Sequence, residues 1–375
     1  MIGRLFKRRA RMPEAPEPEM DDVHGSVPVT LLTGFLGSGK TTLLNALLAD
    51  PRMAGTAVIV NEFGTVAIDH GLVSTGAETV LRTTTGCICC TATSDIRQSL
   101  HDLHEAGIDA GKPAISRVVI ETTGLADPAP VINSLIAGGA PVTSLRDQVV
   151  ARHFRLAGVI TAFDVINGRA SLDSFLEGWK QLAFADHVVL TKTDMADGPH
   201  DWAAELAPLN PAARFHDSHK AGFDLHALVG AGSYSTAGKA EDVPGWLAME
   251  ALVRHGDHAH DPSRHGDGIG AFSLAHDVPL RPEAAETFLR IVTSTIGSGL
   301  LRLKGLFCLA DDPERPLAAH AVQNRLYPLQ RLDAWPDGDR RSRVVLIGRD
   351  MPEKPIRDLF AVLVPRPARP PRRPA

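Results

Sequence analysis

The sequence predicts an α/β architecture, a mostly parallel sheet followed by a smaller α+β domain, and two patterns carry that expectation. Between Val27 and about Leu228 the runs VPVTLL, TAVIVN, RVVIE, LAGVITAF and HVVL are each followed by a longer stretch with helical spacing. Such alternation places helices on both faces of a parallel sheet. The runs are apolar almost throughout rather than at every second position, which is expected of strands buried on both sides.

Around this unit the composition changes. Residues 1–25 and the end from Pro365 are proline-rich and charged, with little to bury, and are expected to be disordered tails. From about Gly230 to Gly268 the chain turns to Gly, Ser, Asp and His, the mark of a linker. Beyond it come the strand-like IGAFSLAHD, a helix from about Pro282 to Ile296, the strand-like LLRLKGLFCLA, a segment near Ala321, the strand RVVLIG and a last helix near Pro355 to Leu363. The domains therefore read as 26–229, a linker 230–268, and a second domain 269–364, with tails 1–25 and 365–375.

Composition narrows the function classes. With 44% hydrophobic and 22% charged residues in 375, the chain has the make-up of a globular protein of more than one domain. Its net charge of −5, from 44 acidic against 39 basic residues, supplies no general attraction to nucleic acid or anionic lipid. The basic start, Met1 to Met12, is followed by Pro13, Glu14, Pro16 and Glu17 rather than an apolar core, so a cytoplasmic protein without an export signal is expected. No apolar run reaches the length of a membrane span.

Directly after the first strand stands GFLGSGKTT. Gly34, Gly39, Lys40 and Thr41 complete G-x-x-x-x-G-K-[ST], with Gly37, Ser38 and Thr42 inside the same loop. Glycines let successive N–H groups turn inward around phosphates at the positive end of a helix. Lys40 is expected at the β and γ phosphates and the Thr41 hydroxyl on Mg²⁺. The strand RVVIE ends in Glu121, an acid placed to steer Mg²⁺ through water, and Gly124 follows where an N–H can sense the γ phosphate. The fold class is thus a P-loop NTPase domain with a mostly parallel sheet, plus a smaller C-terminal α+β domain.

Base choice is read from Thr191, Lys192, Thr193 and Asp194 after HVVL. A carboxylate at Asp194 can accept both N1–H and the exocyclic N–H₂ of guanine, donors that adenine does not offer together. The usual GTPase motif is N-K-x-D, and Thr191 in the first place leaves the strictness of GTP selection open.

The motif GCICC supplies Cys87, Cys89 and Cys90. Thiolates favour Zn²⁺, Cu⁺ and at times Co²⁺ or Ni²⁺ over Mg²⁺ and Ca²⁺, and three ligands leave a fourth position for exchange. Glu62, in NEFG after the second strand, is a candidate for that position. Buried thiols are also ordinary core residues, which is the expectation for Cys308 within LFCLA. His255, His258, His260 and His265, interspersed with Asp257, Asp261 and Asp267, either capture an ion weakly or form a solvated linker.

With GFLGSGKTT, NEFGTVAIDH, GCICC, ETTGLADP, FADHVVLTKTD and the His-rich linker in this order, the chain resembles the CobW-like GTPases from about Val27 to Gly348. The resemblance implies a metallochaperone whose cysteine motif binds Zn²⁺ or Co²⁺, whose GTP state governs transfer, and whose partner is a metal-requiring client protein or pathway. It places the metal ligands at Cys87, Cys89 and Cys90, the phosphate loop at Gly34 to Thr42 and base recognition at Lys192 and Asp194. Two other readings fit the residues: a P-loop kinase or ATPase with structural thiols, and a zinc buffer or scaffold with a vestigial nucleotide site.

Overall fold

The computed structural model describes residues 26–61, 79–83, 92–109, 115–136, 144–196, 198–229, 268–336 and 338–364. Glu62, Cys87, Cys89, Cys90, the His-rich linker and both tails lie outside the described residues.

Seven strands form the first sheet: β1 (Val27–Gly34), β2 (Thr56–Asn61), β3 (Thr79–Thr83), β4 (Arg117–Glu121), β5 (Phe154–Asp164), β6 (His187–Thr191) and β7 (Arg214–Asp217). Their order is β3-β2-β4-β1-β5-β6-β7, and every pairing is parallel. Between them lie α1 (Lys40–Leu48), α2 (Ala92–Asp109), α3 (Pro128–Leu135), α4 (Leu145–His153), α5 (Gly168–Ser174), α6 (Leu176–Phe184) and α7 (Trp202–Leu206).

The period of two along each strand divides the core. Val29, Leu31, Ile59, Val118, Ile120 and Val159 point into one apolar layer with α2, α3 and α6. Leu32, Val58, Val119, Ile160 and Val189 point into the other, against Leu43, Leu44 and Leu47 of α1. Continuous apolar runs are what a strand covered on both faces requires. The chain leaves β1 for β2 past β4, so β1 sits between β4 and β5 and its loop opens at the sheet's switch point, where ligands of such folds bind.

The second sheet is antiparallel and six-stranded, ordered β11-β10-β9-β13-β8 with β12 against β10. It comprises β8 (Ile269–His276), β9 (Leu300–Leu309), β10 (Asp312–Val322), β11 (Arg325–Leu326), β12 (Gln330–Arg331) and β13 (Ser342–Arg349). The helices α8 (Pro282–Ile296) and α9 (Glu353–Leu363) cover one face, burying Ala285, Phe288, Leu289 and Val292 at helical spacing, and Ile356 and Phe360. The opposite face, with Leu301, Leu306, Ala318 and Val345, joins the same apolar layer as α2, α3 and α6. No helix among the described residues is long and apolar enough to cross a membrane.

A buried ion cluster pins the two sheets together. Asp186, between α6 and β6, receives Arg302 Nη2 at 2.5 Å and Lys304 Nζ at 3.3 Å on Oδ1, while Oδ2 accepts from the Val159 N–H at 2.9 Å. Arg302 Nη1 also donates to the carbonyls of Phe184 at 2.6 Å and Ala185 at 2.8 Å. All three charged side chains are buried, the condition under which ions need both partners and supplementary hydrogen bonds.

Candidate nucleotide site

The phosphate loop leaves β1 through glycines at positive φ: Gly34 at 144°, Gly37 at 69° and Gly39 at 87°. A side chain at Gly34 would meet the Ala162 carbonyl and the Ser38 hydroxyl, so both conformation and close approach require glycine there. Lys40 opens α1, is buried, and its Nζ donates to the Gly34 and Phe35 carbonyls at 2.9 Å each. Burial pushes its pKa down, and the nearby Glu121 charge opposes that shift.

Glu121, at the end of β4, pairs in register with Leu32 of β1 and accepts from the Thr41 hydroxyl at 2.9 Å. The carboxylate and hydroxyl named from the sequence are therefore adjacent, though 80 residues apart in the chain. They form an oxygen donor set that suits Mg²⁺, which binds through one or two protein oxygens plus phosphate and water. The Ser38 and Thr123 hydroxyls are buried without hydrogen-bond partners among the described residues. Two unmatched hydroxyls at the phosphate end fit an acceptor-rich ligand. Gly124 lies so close to the loop that a Cβ would stand 2.6 Å from Leu36 N, and here close packing rather than φ demands glycine.

The base side is built at the ends of β5 and β6. Thr191 Oγ1 donates to the Ser38 carbonyl at 2.8 Å, with the Phe163 carbonyl 3.2 Å away. The residue that departs from N-K-x-D thus braces the phosphate loop. Lys192, in the left-handed region at φ 60°, reaches Asp164 Oδ2 at 2.7 Å. Asp164 is fixed in turn by the Ile166 N–H and the Asn167 side chain. Burial works against its ionisation, but the Lys192 and Asn167 hydrogen bonds outweigh it and hold its pKa below the ordinary carboxylate value. Asp194 is exposed and its Oδ1 lies 3.2 Å from His219 Nε2. Gly39, Thr42, Thr191, Lys192, Asp194 and His219 line one cavity of about 550 Å³, within the usual range for a small-molecule site.

Gly34, Gly37, Ser38, Gly39, Lys40, Thr41, Thr42, Glu121, Gly124, Lys192 and Asp194 thus gather along the C-terminal edge of the first sheet. Sequence reasoning missed Asp164, His219 and Gln181. Asp164 carried a faint signal as an acid closing a buried strand, the same signature as Glu121. Cys308 is buried in β9 as core, with burial pushing its thiol pKa up. Among the described residues no group of three or more His, Cys, Asp or Glu side chains is arranged to hold a metal.

A phosphate loop after the central strand of a parallel sheet, an acid on the neighbouring strand and a second antiparallel domain define a P-loop NTPase-like protein with an appended α+β domain. The chain belongs to the CobW/HypB/UreG family, whose nucleotide-binding domain matches residues 28–217, and residues 269–364 match the cobalamin synthesis protein cobW C-terminal domain. It is 31% identical to the zinc chaperone YjiA of Escherichia coli over 337 residues, covering 90% of this chain and 98% of that protein. It is 25% identical to the zinc-regulated GTPase metalloprotein activator 1 of Dictyostelium discoideum, covering 86% of this chain and 76% of that one. The crystal structure of Zn(II)-bound YjiA GTPase from E. coli superposes with a TM-score of 0.63 at 26% identity, over 90% of this chain and 99% of that chain.

Proposed function

We propose that this protein is a GTP-dependent metallochaperone that binds Zn²⁺ or Co²⁺ and delivers it to a client protein or pathway, with hydrolysis of GTP to GDP and phosphate. The observation that carries the nucleotide half is the C-terminal edge of the first sheet, where Lys40 and the Thr41–Glu121 pair stand at the phosphate loop and Lys192 and Asp194 line the cavity beside its Gly39 and Thr42. The metal half rests on Cys87, Cys89 and Cys90, with Glu62 one candidate for the fourth position, and is supported by zinc chaperones among the relatives.

In this reading the loop N–H groups and Lys40 bind the β and γ phosphates. Thr41 and, through water, Glu121 hold Mg²⁺, which when bound neutralises charge on the phosphate oxygens. Gly124 senses the γ phosphate. Lys192 lies along the base, and Asp194 accepts the two guanine donors. His219 exchanges its contact with Asp194 for solvent or the base edge when guanine arrives. The metal ion is cargo, and thiolate ligands release it by protonation or by exchange with the client.

The cysteines are tested by metal content and turnover together. Wild-type protein is expected to retain one equivalent of zinc after dialysis and to release phosphate from GTP. Cys89→Ala should lose the zinc while keeping nucleotide binding and the folded sheet by circular dichroism. Retention of the full equivalent by Cys89→Ala would remove that ligand from the account. Phosphate transfer to an acceptor, indifferent to chelation, would favour a kinase with structural thiols. Zinc binding without turnover, even with a client present, would favour a buffer or scaffold.

A further inference from the structure

We propose that Gln181 is a positioning residue for the turn that senses the γ phosphate, and that α6 carries the position of that turn to the C-terminal domain. The inference rests on the nucleotide reading above and deepens it.

Gln181 is buried, and its side-chain Nε2 donates to the Gly124 and Ala126 carbonyls at 3.1 Å each. One amide group thereby fixes two of three successive peptide units in the turn. The preceding residue, Lys180, holds the same turn from its far end through Asp127 Oδ2 at 2.8 Å. Asp127 is the N-cap of α3 and accepts from the Ala129 N–H. The carbonyl of Gln181 accepts from the Thr161 hydroxyl of β5 at 2.8 Å, which locks the helix to the sheet at this point. On its other side Gly124 abuts the phosphate-loop backbone at Leu36. Any movement of Gly124 relative to Leu36 therefore acts on two hydrogen bonds to α6.

The far end of α6 is held from both domains: Arg302 of β9 donates to the Phe184 and Ala185 carbonyls and pairs with the Asp186 carboxylate, which Lys304 also reaches, while Asn210 of the first domain donates to the Leu182, Ala183 and Ala185 carbonyls. Gln181 lies three residues, just under one helical turn, before the end of α6 at Phe184, and Asp186 follows two residues further on. A rigid element this short transmits a shift or rotation with little loss, and buried ion pairs tolerate displacement poorly because their stabilisation depends on geometry. Neither Gln181 nor Arg302 belongs to the phosphate loop or lines the cavity beside Lys192 and Asp194. They connect the one segment expected to differ between GTP and GDP to the domain whose other face is covered by α8 and α9.

The test compares wild type with Gln181→Met, which keeps length and apolar bulk but donates nothing. Fluorescent GDP and a non-hydrolysable GTP analogue are titrated, and hydrogen exchange is followed over residues 176–186 and 300–309 in each nucleotide. Loss of two hydrogen bonds to the turn is expected to weaken the GTP analogue about tenfold. GDP affinity should stay within about twofold, since GDP lacks the phosphate that the turn contacts. KM for GTP should rise with the weakened affinity. Wild type should show a nucleotide-dependent exchange difference in both segments, and Gln181→Met should lose it in 300–309. A merely structural glutamine would weaken both nucleotides equally. If Gln181→Met does not fold, Lys180→Met removes the partly exposed ion pair instead and should shift the GTP to GDP preference two- to threefold in the same direction, by about the value of one such pair.

An unchanged preference in the variants, or a wild type in which residues 300–309 do not respond to nucleotide, overturns the inference while leaving GTP binding intact. A wild type that binds neither nucleotide overturns the nucleotide reading and this inference with it.

Discussion

Lys40→Ala is expected to lower GTP affinity by about two orders of magnitude, the scale of removing one or two charge-assisted hydrogen bonds worth roughly 1.5–3 kcal/mol each. The argument is local. The Lys40 ammonium lies against the loop carbonyls of Gly34 and Phe35 and is buried, so it is positioned before any phosphate arrives. Burial pushes its pKa down and Glu121 resists that shift. A triphosphate would add negative charge on the same side and favour the ammonium further. Calorimetry with GTP and GDP measures the change. Unchanged affinity in the variant would mean that the loop does not hold phosphate.

The second large effect concerns stability. Arg302→Ala strips Asp186 of its main partner and removes a donor to the Phe184 and Ala185 carbonyls, leaving Lys304 at 3.3 Å as the cation on Asp186 and Asn210 on Ala185. Breaking a buried pair from one side costs about 3–5 kcal/mol. A variant losing both charges, Asp186→Asn with Arg302→Ala, should be less destabilised than the sum of the two single changes, and the double-mutant cycle in thermal denaturation checks this. Additive costs would contradict a coupled pair.

The same cluster sets a pH dependence. Burial alone would raise the Asp186 pKa, but the Arg302 and Lys304 charges overcome it and hold the carboxyl far below its ordinary value of 3.8. Unfolding lets it take a proton, so its stabilisation is complete above about pH 4 and fades as pH falls further. Burial and the Lys304 and Arg302 charges push His320 down to about 3, and burial and the His187 charge push His216 down to about 4. Both rings stay neutral when folded and take a proton near pH 6.5 when unfolded, so each lowers stability as pH falls from about 6.5 towards its folded value. All three act in one direction. The melting temperature should therefore fall as pH drops from about 6.5 to pH 4 through the two histidines, with Asp186 adding to the fall below about pH 4. Removing Arg302 takes away one of the charges pressing on His320, so the slope between pH 6.5 and pH 4 should be shallower in Arg302→Ala. A flat wild-type profile would contradict this assignment.

Much of the architecture was legible because local signals agreed with the global fold. The phosphate loop combines glycines that only a strained turn needs with Lys40 and Thr41 at fixed offsets, and β1, β4 and β6 are runs whose composition allows little but a buried strand. The segment near Ala321 proves to be the end of β10, which begins at Asp312. Short polar strands were illegible: β3, TVLRT, and β7, RFHD, are edge strands with no continuous apolar run. The site was half readable. Thr41 could be named from its fixed offset in the glycine loop, and Glu121 as the acid that closes a buried strand. Gln181 acts through tertiary contacts alone, and Asp164, though it closes a buried strand, meets Lys192 only across 28 residues. The tie between Asp186 and Arg302 spans 116 residues and leaves no local trace. The cysteine motif is plain in the sequence, and its place lies outside the described residues.

A metallochaperone governed by GTP requires that nucleotide and metal bias one another. The most direct measurement of that bias is a zinc titration against a competing chelator, performed with GDP and again with a non-hydrolysable GTP analogue. The account predicts affinities that differ by at least about fivefold, with the same factor recovered when the nucleotide is titrated in the presence and absence of zinc. Equal zinc affinities in the two nucleotide states would contradict it.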